Sequence, residues 1–158
     1  MSIWYILSVY LHIIAAAFWI GGMLYLPLVL LPNIKNHPDR ILLLYKTGMK
    51  FRFYGWIVIV LLLLTGIGNL YFKGIPLELS FFTNNDYGKT VSYKVILFVI
   101  MLLISGVHDF YIGNKALEDL QQNQNPKFKM IARWTGRLNL LLALIIAFLG
   151  VSLSRGWV

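Results

Sequence analysis

The chain contains no cysteine and little charge. Only 13% of its 158 residues are Asp, Glu, Lys or Arg, and just 6 are acidic. Without cysteine there are no disulfides, thiolate metal sites, iron–sulfur clusters or covalent haem attachment points. A soluble domain carries roughly 25% charged residues, so the composition excludes an ordinary water-soluble globule. The sequence also lacks a phosphate-binding loop, a nucleophile elbow and an HExxH pair. No pair of carboxylates falls within an apolar run. Acid–base work by paired side chains therefore has no candidates, catalytic residues cannot be named, and any chemistry must lean on a cofactor.

Apolar residues are plentiful. The chain is 59% hydrophobic and 15% aromatic, with a mean hydropathy of +0.73. Its net charge is +8. The basic residues lie between apolar runs rather than along one stripe, which argues against a nucleic-acid partner and reads as membrane topology. Four runs, about 3–31, 53–72, 90–111 and 138–154, meet the length of about 20 apolar residues that a spanning helix needs. The expected fold is an all-α, integral membrane four-helix bundle, a single domain over 1–158 with the lipid bilayer as its solvent. The first run is too long for a signal peptide and no basic segment precedes it. Beyond the helix count the sequence shows no internal repeat.

The connections carry the topology. Asp39 to Lys50 is amphipathic and is expected to lie along the interface. Leu77 to Phe82 is apolar enough to dip into the headgroups. Asn114 to about Leu120 is expected to extend the third helix, with Pro126 ending the polar stretch that follows. Lys35, Arg40, Lys46, Lys50 and Arg52 flank the first connection, and Lys115, Lys127, Lys129, Arg133 and Arg137 the third. The opposite side has only Lys73, Lys89 and Arg155. By the positive-inside rule both termini lie outside the cytoplasm, in a bacterial inner (cytoplasmic) membrane.

Residues that are costly to place in lipid point to function. His12, Lys94 and His108 stand out, whereas His37 falls in the polar first connection beside Pro38 and reads as a solvated loop residue. Helical rise puts His12 about 13 Å and Lys94 about 6 Å from the outer face, and His108 about 27 Å down, near the inner boundary. Lys94, Met101 and His108 recur every seven residues and share one face of the third helix. His12, Ala16, Trp19 and Met23 share a face of the first. Ala15, Ala16, Ala17, Gly21 and Gly22 keep that helix thin, for close helix packing or for a flat cofactor. Thr65, Asn69 and Asn139 read as interhelical hydrogen-bonding groups.

An apolar slot with an imidazole suits haem b, which needs axial donors and no thioether links. His12 is the natural axial ligand. Met101, at about the same depth, or Lys94 is the candidate opposite ligand, with Trp19 and Ala16 as slot walls. A depth difference of about 14 Å argues against a His12–His108 pair. Copper is the alternative metal, because imidazole and thioether suit copper(I) and His12, Met23 and Met101 supply a sparse set. Near the inner boundary, His108 with Arg52 and Arg137 forms either a structural polar belt or a site for an anionic ligand.

These residues also carry a resemblance. LHIIAAAFWIGGMLYLPLVLLP (Leu11 to Pro32) resembles the first helix of the copper-resistance D (CopD) family and of the HemJ-type membrane protoporphyrinogen oxidases. YGKTVSYKVILF (Tyr87 to Phe98) is similar to the start of the third helix in both, with Lys94 on the family lysine. His108 falls where HemJ-type proteins have a histidine. GRLNLLLALIIAFLGVSLSRG (Gly136 to Gly156) resembles the last helix of short CopD-like proteins. The resemblance implies a four-helix membrane bundle binding haem b through His12. The leading expectation is an electron-relaying b-type cytochrome, acting with a redox partner, within a larger membrane complex or as a homodimer. The alternatives are a HemJ-like oxidase holding porphyrinogen carboxylates near His108, Arg52 and Arg137, a copper-handling transport protein, and a cofactor-free assembly subunit.

Overall fold

A computed structural model describes residues 2–76, 78–113, 115 and 127–157, apart from the side chains of Lys127 and Lys129. Among the described residues the fold is all-α. Four helices are long and apolar enough to cross a membrane, so the bilayer is the solvent this chain is built for. The chain divides into two compact units, Met1–Leu77 and Glu78–Val158, each built around one helical hairpin.

In the first unit, helix α1 spans Ile3–Asn33 and helix α2 spans Arg40–Phe72. Ser2 caps α1 by accepting a hydrogen bond from Trp4 N–H at 3.3 Å, which satisfies one orphan donor of the first turn. Near its far end α1 widens into a π-turn at Leu26–Leu30, where Leu31 N–H reaches back to Leu26 O. Pro27 lies in that turn and has no N–H to give. The amphipathic segment Asp39 to Lys50 is not a separate interfacial piece. From Arg40 it is the start of α2, because nothing between Lys50 and Phe53 stops a helix whose backbone bonds are all internal.

The α1–α2 seam alternates small with large. Ser8, Ala15 and Trp19 are the buried residues of α1, and Gly55, Ile59, Leu62 and Thr65 those of α2. Trp19 lies across Gly55, where an added Cβ would stand 2.9 Å from the indole. The Phe51 ring covers Gly22 so closely that any side chain there would overlap it. The two aromatic rings stack at 6.1 Å and 23°. Glycine on each helix thus makes the space that an aromatic on the other fills.

In the second unit a short helix, α3 (Leu79–Asn84), leads into α4 (Asp86–Ile112). The last long helix, α5, spans Lys127–Arg155. Asn85 caps α4, accepting from Tyr87 N–H at 2.9 Å and Gly88 N–H at 3.3 Å. The Phe81 carbonyl presses on Gly88, leaving no room for a Cβ. Ser92 Oγ donates to Gly88 O at 3.0 Å and to Phe82 O at 3.3 Å. Phe81 and Phe82, in the part of the expected headgroup segment that the structure describes, therefore fold back onto the start of α4. The fourth helix begins eleven residues before the expected Leu138, because the basic stretch ahead of Leu138 is helical too. The expected extension from Asn114 to Leu120 and the stop at Pro126 fall almost wholly outside the described residues.

Candidate functional site

Two histidines rise from the hairpin seams, and each is held in the same way. In the first unit His12 Nδ1 lies 2.8 Å from Thr65 Oγ1. The Thr65 hydroxyl also lies 2.6 Å from Leu61 O, one turn earlier on its own helix, and 3.3 Å from Leu62 O. Its single proton goes to that backbone. The oxygen therefore accepts from the ring, and His12 donates through Nδ1–H. In the neutral imidazole the lone pair then resides on Nε2. A metal-ligating histidine is normally oriented through its other nitrogen in this manner. Ser8, one turn before His12, donates to Thr65 O at 3.1 Å, so the threonine is fixed at backbone and side chain. Gly66 keeps the ring in ordinary contact at Cε1, 3.6 Å from where a Cβ would stand.

In the second unit His108 Nδ1 lies 2.7 Å from Thr135 Oγ1. Thr135 in turn donates to Ile131 O at 3.0 Å, with Ala132 O at 3.2 Å. The arrangement is the same, but here the contact to the ring is the shorter one. His108 also begins a π-turn, His108–Ile112, closed by Gly113 N–H on His108 O. This turn contains no proline, unlike the one in α1, and π-turns concentrate at functional sites.

The expected face of the third helix is present and points at α5. Lys94 Nζ lies 3.0 Å from where a Cβ on Gly150 would stand. Ser105 accepts from Asn139 Nδ2 at 2.9 Å, and His108 meets Thr135. Met101, between them on the same face, is 2% exposed and the largest fully enclosed side chain. Lys94 and Met101 thus line the seam with α5, while His12, half-buried Ala16 and Trp19 belong to the seam with α2. Trp19 is 5% exposed, and its indole N–H has no hydrogen-bond partner among the described residues. Arg52 is half-buried beside Phe51. Arg137 is exposed, its guanidinium 5.4 Å from the Trp134 ring centroid. His37 is exposed and accepts from Asp39 N–H at 3.0 Å, as expected of a solvated loop residue.

The two threonines were not visible as partners from hydropathy, yet the sequence carries a signal. Thr65-Gly66-Ile67-Gly68-Asn69 and Thr135-Gly136-Arg137-Leu138-Asn139 share the pattern Thr-Gly-x-x-Asn. Each stands on the second helix of its hairpin, and each threonine holds the histidine of the first. The asparagine one turn later repeats a further property. Asn69 Oδ1 and Asn139 Oδ1 are both buried with no hydrogen-bond partner among the described residues. Asn69 was expected to bond across helices; its carbonyl oxygen does not. A buried acceptor left unsatisfied costs about 1–3 kcal/mol, and the cost is incurred twice at equivalent places.

Among the described residues no three His, Cys, Asp or Glu side chains gather to hold a metal ion. A bare ion needing three such donors therefore finds no site among the described residues. A metal that brings its own equatorial ligands needs only an axial imidazole, and the donor set fits that requirement.

The copper resistance protein D family matches residues 45–153. The chain belongs to that family. It is also 33% identical, over 153 residues covering 96% of each chain, to an uncharacterized protein of Aquifex aeolicus (strain VF5). No solved structure matches it. The family's match includes most of α2, all of α4 and most of α5, and with them both Thr-Gly-x-x-Asn segments, Lys94, Met101 and His108.

Proposed function

We propose that this CopD-family protein is an intramembrane haem-b-binding redox protein, with His12 Nε2 as an axial ligand to the iron. The Thr65 contact carries the reading: it holds the imidazole in the tautomer and orientation of a metal ligand. The lack of a multi-residue donor cluster favours a metal that arrives already coordinated in its plane. Bound haem would supply one-electron chemistry by cycling its iron between two oxidation states. The protein's part is to orient the ring, exclude water with the apolar faces of α1 and α2, and keep the iron in hydrocarbon. In this reading both termini lie outside the cytoplasm of a bacterial inner membrane, and a redox partner, larger complex or second copy receives the electron.

A copper-handling role is the second reading. The family description favours it, and imidazole suits copper(I). A spectrum of detergent-purified protein with metal analysis separates them. A Soret band that disappears in His12→Ala supports haem. Stoichiometric copper without a visible haem spectrum overturns it in favour of copper. Oxidation of protoporphyrinogen above a protein-free control would identify the haem protein as a HemJ-like oxidase rather than an electron relay.

A further inference from the structure

Helix α5 has two unlike faces. Thr135 and Asn139 face α4 through His108 and Ser105. Away from them runs the row Met130, Trp134, Arg137, Leu141, Leu144 and Phe148, alternately four and three residues apart and exposed throughout. That spacing keeps the row in line along the helix. Its far half is apolar and is the surface that meets lipid. Its near half is basic and aromatic: the Arg137 guanidinium stands 5.4 Å from the Trp134 ring centroid, and exposed Arg133 lies one turn before Arg137. Helix α2 repeats the pattern in its own hairpin. Lys46, Lys50, Phe53, Ile57, Val60 and Leu64 keep the same spacing, and all are exposed. Helix length places the basic ends. The 29 residues of α5 reach about 44 Å, the thickness of a bilayer with its headgroups rather than the roughly 30 Å of its hydrocarbon, and the 33 residues of α2 reach further. Each helix thus starts in the headgroup layer.

We propose that the starts of α2 and α5 are docking sites for anionic phospholipid, one molecule at each, with Lys46 and Lys50 or Arg133 and Arg137 holding the headgroup phosphate and the acyl chains lying along the apolar row that continues from it. The two cations of each pair are one turn apart, where like charges repel. No Asp or Glu stands three or four residues from any of the four. An anion between them removes that repulsion. Arginine adds paired N–H donors suited to phosphate, lysine reaches a headgroup along its apolar stem, and Trp134 stands where aromatic belts form. An acidic segment of a soluble partner would match the charges. It would not match their unbroken continuation into hydrocarbon, and that continuity selects the lipid. The inference is independent of the haem reading.

The test is native mass spectrometry of the delipidated, detergent-purified full-length protein, titrated with phosphatidylglycerol and with phosphatidylcholine of the same acyl chains. A basic side chain near an anionic surface is worth about fivefold in affinity. Wild type should therefore bind its first two phosphatidylglycerol molecules about 5- to 25-fold more tightly than phosphatidylcholine. Arg133→Gln with Arg137→Gln should leave one such preferred lipid, and so should Lys46→Gln with Lys50→Gln. Arg133→Lys with Arg137→Lys should keep both, one of them more weakly. Lys89→Gln with Arg155→Gln removes two charges elsewhere and should keep both at wild-type strength. An equal loss in that control reduces the preference to net charge and overturns both sites. A count lowered by only one of the two glutamine pairs supports that site and overturns the other. Equal binding of the two lipids by wild type overturns both and leaves an acidic protein segment as the occupant.

Discussion

The two hairpins use one device in different settings. In the α1–α2 hairpin the histidine stands within the apolar run, and the seam beyond it is closed by aromatics over glycines, Trp19 on Gly55 and Phe51 over Gly22. The α4–α5 hairpin has its histidine at the end of the run and continues as a polar ladder through Ser105 and Asn139. Met101 interrupts that ladder before Lys94 is reached against Gly150. The difference teaches that the His–Thr pair is not a by-product of one packing style. It persists where the surrounding seam is bulky and dry, and where it is small and polar.

Breaking the comparison at its strongest point should give the largest effect. His12→Ala should abolish haem binding outright, read as loss of the Soret band in a haemin titration of the purified protein. Removing only the orienting partner should do less: Thr65→Val should weaken binding about 10- to 100-fold, and Thr65→Ser should restore most of it. Equal drops in the denaturant midpoint for Thr65→Val and Thr135→Val would sharpen the equivalence of the two His–Thr pairs; a drop confined to one hairpin would break it. Filling the aromatic seam is the next perturbation. Gly55→Leu should cost about 1–3 kcal/mol by overpacking against Trp19, measured as a lower midpoint in denaturant unfolding from detergent. The smallest effect belongs to the polar ladder. Ser105→Ala removes the acceptor for Asn139 Nδ2 and should cost about 0.6 kcal/mol, the usual size of such a bond between membrane helices.

Much of the fold is legible in the sequence because hydropathy reads the solvent directly. Four uncharged or nearly uncharged runs give four spanning helices in the right order. Their ends are not legible in the same way. A hydropathy window measures the thickness of hydrocarbon, whereas a helix continues until something stops its backbone, so α2 and α5 begin well before Phe53 and Leu138. The site was half legible. His12, Lys94, Met101 and His108 announce themselves by cost or by spacing, and the seven-residue face of the third helix is real. Thr65 and Thr135 do not announce themselves. A threonine in a membrane helix satisfies its hydroxyl on its own preceding turn, so it is cheap there and carries no mark of importance. Only its repetition with Gly and Asn at fixed spacing, set beside the histidine it faces, gives it away.

The direction of the threonine hydroxyls has a last consequence. A relay of protons along a hydrogen-bonded file needs every member to receive on one side and release on the other. Here the file runs from imidazole to hydroxyl to a main-chain carbonyl, and an amide oxygen does not accept a proton to keep at ordinary acidity. Each file is therefore a cul-de-sac. On the Nδ1 side each contact ends at the backbone of the threonine's own helix and leads on to no other side chain through the hydroxyl.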